Sequence, residues 1–355
     1  MLGVGILLLV VWYFGYTGPA RPPEPFPWEK VIDMHCHTAG LGYGGSGCFI
    51  SEQLQKSWRF AFFIRSFGVS RDALEEHGDA VIIQKISEQI RASEYVGGAV
   101  ILAMDGVIGS GGEVDREATE MYVPNEFVAR EVKKYDNLYF GASVNPYRPD
   151  ALERVRRAVG DGAVLVKWIP SIMQIDPADE RIIPFYREVI RLDLPLLCHT
   201  GDEHSFPRVK NVLSDPKRLL LPLNMGVTVI AAHLATTGQN DGEDNMTRLI
   251  NLFPTCPTLY ADISSLTQIN KLGFLSRALR EEDILERLMY GTDYPLTATG
   301  LCFPCYHAFN LTPKQIIALY RFKNAWDRDA MLKQALGVPP QVFRRSAQVL
   351  KITVD

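Results

Sequence analysis

The sequence predicts an α/β chain folded as a (β/α)8 barrel, the TIM-barrel class, preceded by an N-terminal membrane-spanning helix. Three observations carry this expectation. Eight short apolar runs alternate with longer helical patterns. Together they fill a length close to the roughly 250 residues typical of such a barrel. Ahead of them stands an uncharged apolar segment and then a proline-rich stretch.

Residues 1–18, "MLGVGILLLVVWYFGYTG", are apolar almost throughout. A helix of about 20 residues crosses the hydrocarbon core, and Trp12, Tyr13 and Tyr16 suit a membrane interface. The expected localisation is therefore a membrane with a single-pass N-terminal anchor. The alternative is a secreted or periplasmic protein after signal cleavage, although a basic leading region and a clear A-x-A site are both missing. A buried helix of the globular domain is a third reading. Five prolines between residues 19 and 27 speak against it, because they cannot continue a helix and read as an extended spacer over residues 19–30. Arg21 and Lys30 bias the orientation too weakly to choose a side.

The barrel domain is expected over residues 31–355. Its strand candidates are "KVIDMH" at 30–35, "GGAVILAMD" at 97–105, "NLYFGASVN" at 137–145 and "GAVLVKWI" at 162–169. They continue with "LPLLCHT" at 194–200, "GVTVIAAH" at 226–233, "TLYADIS" at 258–264 and "RLMYGTD" at 287–293. Between them lie amphipathic segments such as "DALERVRRAV", "IIPFYREVIRL", "DNMTRLINLF" and "LSRALREEDILERL". Near-continuous apolar strands separated by helices indicate a parallel sheet covered by helices. A doubly wound open sheet would carry a glycine-rich phosphate turn after its first strand; here that place holds His-x-His. The glycine cluster "GLGYGGSGC" lacks the Gly-Lys-Ser/Thr ending of a P-loop and reads as a loop over the barrel mouth.

Composition narrows the function. The 355 residues are 47% hydrophobic, and 37 lysines and arginines face 41 acidic residues for a formal charge of -4. That is not the basic footprint of a nucleic-acid binder, so a small-molecule substrate is expected, with homo-oligomer formation left open. Six irregularly spaced cysteines do not make a disulfide framework. Cys302 and Cys305 form a lone CxxC, which is weak evidence for zinc or redox chemistry without a second pair.

The strand ends carry the chemistry. In a parallel barrel all C-terminal strand ends open on one face, where the site lies. His35 and His37 in "VIDMHCHT" are two apart and so share a strand face. Three further runs end in His199, His233 and Asp293, and a fourth ends in Lys167. Four of the seven histidines thus fall at C-terminal strand ends. Such a cluster is costly to bury unless an ion or good hydrogen bonds satisfy it.

His-x-His after strand one, His after strands five and six, and Asp after strand eight resemble the signature of the amidohydrolase superfamily. Within it, "VLVKWIPSIMQIDPADERIIPFYREVIRLDLPLLCHTGDE", "LMYGTDYP" and "ALGVPPQVFRRSAQVLKI" are similar to the amidohydrolase-related branch. That branch includes aminocarboxymuconate-semialdehyde decarboxylase and many metal-dependent hydrolases. The resemblance spans roughly residues 31–352. It implies that His35, His37, His199 and Asp293 hold one divalent cation, zinc, and that His233 acts as an acid/base beside it. Neutral imidazoles and one carboxylate suit zinc with an open position for water, whose pKa the ion lowers toward about 7. Asp293 would accept the water's proton, and His233 would stabilise the developing oxyanion. In binuclear members a strand-four lysine is carboxylated and bridges two metals, so Lys167 is a candidate ligand and the metal count would then be two. An ion-paired or substrate-facing lysine is the competing role. Trp168, Glu203, Arg208 and Arg59 are candidates for contacting substrate. The expected reaction is hydrolysis of an amide, ester or lactone by metal-activated water. The alternative is a metal-dependent decarboxylase, a carbon–carbon lyase acting on an unsaturated or aromatic carboxylic acid. It requires a carboxylate clamp that no arginine in the sequence evidently supplies. A non-enzymatic barrel with a closed structural metal is the third reading.

Overall fold

The computed structural model describes residues 12–353, apart from the side chain of Arg59. All eight expected runs form strands: β1 (Val31–His37), β2 (Val96–Leu102), β3 (Leu138–Ala142), β4 (Ala163–Trp168), β5 (Leu196–His199), β6 (Val229–Ala232), β7 (Leu259–Asp262) and β8 (Leu288–Met289). They hydrogen-bond in sequence order, every neighbouring pair parallel. Past β8 the chain continues alongside β1, where His37 N–H donates to Tyr294 O at 2.8 Å and Asp293 N–H donates to His35 O at 2.9 Å. These bonds bring the last strand onto the first, the closure that a (β/α)8 barrel requires.

A buried carboxylate reinforces this seam. Asp33 accepts from His35 N–H at 3.0 Å, Thr292 N–H at 2.9 Å, Thr292 Oγ1–H at 2.5 Å and Trp326 Nε1–H at 2.8 Å. Burial pushes its pKa up to about 6, against the pull of these donors. It is therefore still ionised at neutral pH, as four donors and no acceptor demand.

The helices include α1 (Trp58–Ser66), α2 (Ala80–Arg91), α3 (Asn125–Val132), α4 (Ala151–Gly160), α5 (Ile183–Arg191), α6 (Asn245–Ile250), α7 (Ala325–Ala335) and α8 (Pro340–Leu350). Their spacing explains their faces: α4 buries Ala151, Val155 and Ala158 and turns Glu153, Arg156 and Arg157 outward. The expected helix over 275–288 is instead two short pieces, Phe274–Ala278 and Glu282–Leu285.

Two apolar layers result. Ile32, Met34, Val100, Leu102, Leu165, Leu197, Ile230 and Met289 fill the barrel interior, joined by Leu350 and Ile352 from the C-terminus. The larger layer lies between sheet and helices. The pairing of β1 with β2 slips between Asp33 and Cys36. This irregularity changes the phase of the strand. Met34 belongs to the interior, Cys36 to the outer layer, and the imidazoles of His35 and His37 turn inward at the C-terminal rim.

The chain from 38 to 79 forms the expected loop over the mouth. Asp79 Oδ2 accepts from Gly42 N–H at 2.8 Å and Ser46 Oγ–H at 2.5 Å. Gly40 has to be glycine here, since a Cβ would stand 2.3 Å from that carboxylate oxygen. Phe49–Ile50 pairs antiparallel with Met121–Tyr122, tying this loop to the one after β2.

The N-terminus corrects the membrane expectation. Among the described residues, no helix is long and apolar enough to cross a membrane. Residues 12–18 dock on the barrel domain instead. Trp12 Nε1–H donates to Ala308 O at 2.9 Å, Thr17 N–H donates to Phe309 O at 2.8 Å, and Asn310 Nδ2–H donates to Gly18 O at 3.0 Å. An aromatic-rich stretch read as an interface belt thus finds its partners in the protein's own loop. The rest of the expected segment, residues 1–11, lies outside the described residues. The proline-rich stretch forms no helix and is held to the barrel. Phe26 packs on Tyr95 and Phe343, with ring centroids at 5.1 and 4.7 Å, and Glu29 pairs with Arg344 at 2.5 Å.

Candidate metal centre

At the C-terminal ends of β1 and β8, three ligand atoms converge. His35 Nε2 lies 3.2 Å from His37 Nε2 and 3.7 Å from Asp293 Oδ1, and His37 Nε2 lies 3.3 Å from the same oxygen. Asp293 is presented by a left-handed backbone conformation (φ 64°) four residues after the end of β8. Such conformations are costly and concentrate at functional sites.

Asp262, at the end of β7, decides the state of His35. Its Oδ2 lies 2.8 Å from His35 Nδ1, so Nδ1–H donates to it and the lone pair sits on Nε2, facing His37 and Asp293. Its Oδ1 accepts from His233 N–H at 2.9 Å, Ser264 N–H at 3.0 Å and Ser264 Oγ–H at 2.5 Å. A lone pair of His35 and a carboxylate oxygen of Asp293 meet beside His37 Nε2, a donor set that suits a cation. A ligating histidine that donates its other nitrogen to a carboxylate is the usual support of a metal site. Burial lowers His35 to about 4, helped by the nearby Lys167 charge, which keeps the ring neutral.

His199 is buried at the end of β5. Its Nε2 has no hydrogen-bond partner, and the nearest carboxylate oxygen, Oε2 of Glu203, is 3.7 Å away. Burial lowers its pKa to about 4 against the pull of Glu203. A neutral, orphaned imidazole nitrogen beside the cluster suits a fourth ligand. The tightest ligand groupings do not contain it: they are His35, His37 and Asp293, and on the other side His35, His233 and Asp262.

Lys167 Nζ lies 3.1 Å from His35 Nε2, so the lysine does reach the cluster, and burial lowers its pKa. Its neighbour Trp168 points the other way, as alternation along a strand requires. The indole N–H donates to Val144 O at 2.8 Å and the ring packs 5.4 Å from Phe185, away from the mouth. Trp168 is therefore not placed to touch substrate. Neither is Arg208, whose guanidinium is bound by the Glu120 carboxylate and by Glu117 O outside the cavity. The Arg59 side chain lies outside the described residues. Glu203 does line the cavity, its carboxylate accepting from Ser205 N–H at 2.5 Å.

His233 follows β6 in a turn of three left-handed residues, with φ of 57°, 52° and 50° at His233, Leu234 and Ala235. The Asp262 bond to its backbone N–H holds that turn. Its Nδ1 lies 2.7 Å from Ser264 Oγ and 3.3 Å from Ser264 O. The Ser264 hydroxyl proton goes to Asp262, and a carbonyl only accepts, so His233 carries its proton on Nδ1 and its lone pair on Nε2. The tautomer makes this residue an acceptor toward the mouth, not the ready donor to an oxyanion that the sequence suggested.

Above the cluster lies a cavity of about 130 Å³. Ile50, Leu54, Phe60, Phe63, Ile64, Phe67 and Met121 make an apolar wall, while His37, His199, His233, Asp293, Glu203, Gln268 and Lys271 line the polar side.

The sequence matches the family model described as Amidohydrolase over residues 32–322, most of the chain. The chain belongs to the amidohydrolase family. That family is usually metal-dependent, and the orphaned His199 nitrogen and the converging ligand atoms of His35, His37 and Asp293 fit a cation in this member. No curated protein sequence matches the chain. Among solved structures, an uncharacterized TIM-barrel protein from Bordetella bronchiseptica is similar, with a TM-score of 0.54 at 17% identity, covering 86% of this chain and 99% of that one. A Pseudomonas putida protein named for 2-pyrone-4,6-dicarboxylic acid hydrolase has a TM-score of 0.50 at 15% identity, covering 93% and 100%. At such identity the likeness concerns the fold alone.

Asp262, Ser264, Gln268 and Lys271 escaped the sequence reading. Asp262 had a signal, since it too ends an apolar run. The other three sit in the irregular loop after β7, where periodicity says nothing.

Proposed function

We propose that this amidohydrolase is a metal-dependent hydrolase that cleaves an amide, ester or lactone bond of a small molecule. The observation carrying this reading is the convergence of His35 Nε2, His37 Nε2 and Asp293 Oδ1, with the other nitrogen of His35 committed to Asp262. In this proposal His35, His37, His199 and Asp293 hold one cation, which we take to be zinc from its nitrogen-rich donor set. Such an ion supplies Lewis acidity, polarising a carbonyl and acidifying water to near neutral pH. His233 Nε2 accepts a hydrogen bond from the attacking water and orients it. Asp293 takes the water's proton on its carboxylate and returns it to the departing atom. The apolar wall binds the substrate's body and excludes bulk water. Lys167 stays unmodified beside the cluster, and the cation rather than its Nζ then takes the His35 Nε2 lone pair.

One observation favours decarboxylation as a second reading: the cavity does contain a cationic group, Lys271, able to clamp a carboxylate. A panel of esters, amides and lactones assayed beside carbon dioxide release separates the two. Hydrolysis is expected, and Asp293→Asn lowers it at least about 10²-fold in a folded protein, the scale of general acid–base catalysis. Carbon dioxide release without hydrolysis, or full activity in that variant, overturns the hydrolase reading.

A further inference from the structure

Asp293 stands on a segment beyond the end of β8, and side chains from elsewhere fix its backbone. Ser346 Oγ–H of α8 donates to Tyr290 O at 2.7 Å. The next peptide plane, between Gly291 and Thr292, is gripped at both ends by buried charges. Its carbonyl, Gly291 O, accepts from Lys333 Nζ of α7 at 2.7 Å. Its N–H, on Thr292, donates to Asp33 at 2.9 Å. An ammonium at the oxygen and a carboxylate at the N–H both align with the peptide dipole, so this plane has one favoured orientation. Gly291 also runs close against β1, where a Cβ would stand 2.9 Å from the Cβ of His35.

Lys333 is fully buried. Asp329, one helical turn earlier, accepts from its Nζ at 2.7 Å, and the Tyr290 ring lies 5.0 Å from the same atom. Asp329 Oδ1 in turn accepts from Thr267 Oγ1–H at 3.0 Å. The pair thus reaches the loop after β7 as well, one residue before Gln268 at the cavity wall. Burying an ammonium and a carboxylate is expensive, and apolar residues of similar volume often serve stability equally well. Packing alone does not call for this pair. An apolar pair, however, could not hold the Gly291 carbonyl.

We infer that Lys333 is a positioning residue for the metal centre, with Asp329 orienting it. The inference rests on the proposed reading of His35, His37, His199 and Asp293 as ligands of one cation. Lys333 touches neither the ligand atoms nor the cavity. It acts through the Gly291–Thr292 plane, from which the chain enters the left-handed turn at Asp293 and brings Oδ1 to 3.3 Å from His37 Nε2. Released from the ammonium, that plane rotates and the carboxylate no longer meets the two imidazoles in a single geometry. Asp327, on the same helix, serves a different place: it accepts from Ser93 Oγ–H and from the N–H groups of Glu94 and Tyr95, ahead of β2.

The test uses the full chain, stripped of metal and titrated with cobalt(II), whose visible absorption reports ligand geometry. Competition with a chelator gives the affinity, and circular dichroism follows the fold. Lys333→Met is expected to bind cobalt(II) at least about 10-fold more weakly than wild type, the scale for losing an outer partner of a metal site. Its visible spectrum should change as well. Lys333→Met leaves Asp329 buried without its partner, so a second variant combines it with Asp329→Leu and removes both charges. This variant should fold and show the same two changes. Asp327→Asn is the control, expected to lower stability while keeping wild-type affinity and spectrum. Wild-type affinity and spectrum in either folded Lys333 variant overturn the inference and leave the metal reading standing. An equal loss of affinity in Asp327→Asn reduces Lys333 to a support of the helix and overturns the inference too. A wild-type chain that takes up no cobalt(II) overturns the metal reading, and the inference with it.

Discussion

Replacing Asp262 by asparagine exchanges one carboxylate oxygen for an amide nitrogen and tests the logic of the cluster. Oδ1 of Asp262 takes three donors, from His233 N–H, Ser264 N–H and Ser264 Oγ–H, whereas Oδ2 takes one, from His35 Nδ1–H. An asparagine therefore keeps its oxygen with the three donors and turns its N–H₂ toward His35 Nδ1. The imidazole relieves that clash by moving its proton to Nε2, which blocks the lone pair that faces His37 and Asp293. Loss of such an outer partner costs about 10- to 100-fold in metal affinity, or about 1.4–2.8 kcal/mol. Competition for zinc against a calibrated chelator measures it, with circular dichroism confirming that the barrel remains folded. An affinity within about 2-fold of wild type in a folded Asp262→Asn protein would refute the tautomer reasoning.

Two further outcomes follow from the fold. Asp33→Ala strands the N–H groups of His35, Thr292 and Trp326, so urea unfolding should show a loss of at least about 3 kcal/mol. Asp33→Asn strands chiefly the indole and should cost less, about 1–3 kcal/mol. A smaller loss for alanine than for asparagine contradicts the seam described above. Glu188 is held down to about 2 by hydrogen bonds from Arg191 and then Arg156, against an ordinary 4.5. A depressed carboxyl contributes stability above its ordinary pKa and loses it as pH falls through the folded value. The difference in urea midpoint between wild type and Glu188→Gln should therefore be largest above about pH 5 and vanish near pH 2. A difference that is constant across that range excludes the linkage.

The legible part of this protein was what repeats or concentrates. Eight strands announced themselves because burial on both faces demands continuous apolar runs. His35 and His37 stood out because histidine is scarce and both lie at a strand end. Aspartates at strand ends were ambiguous for a physical reason. Asp105, just after β2, is spent on a bidentate pair with Arg148 at 2.6 and 2.7 Å. Asp262 and Asp293 enter the cluster, and composition cannot distinguish the three. Trp168 was legible in principle: once Lys167 faces the barrel interior, the next residue must face the helices. The N-terminal expectation failed because hydropathy ignores partners, and Trp12 finds its acceptor at Ala308, nearly 300 positions away. Lys271 and Gln268 were invisible for the same cause, since their meaning arises from a cavity that distant segments close.

The most direct measurement is anomalous diffraction at the zinc edge from crystals of the full chain grown with zinc. One peak per chain is expected, at bonding distance of about 2.1 Å from His35 Nε2 and His37 Nε2, with His199 and Asp293 completing the protein ligands. An absent peak, or one remote from these side chains, would contradict a metal centre at this rim.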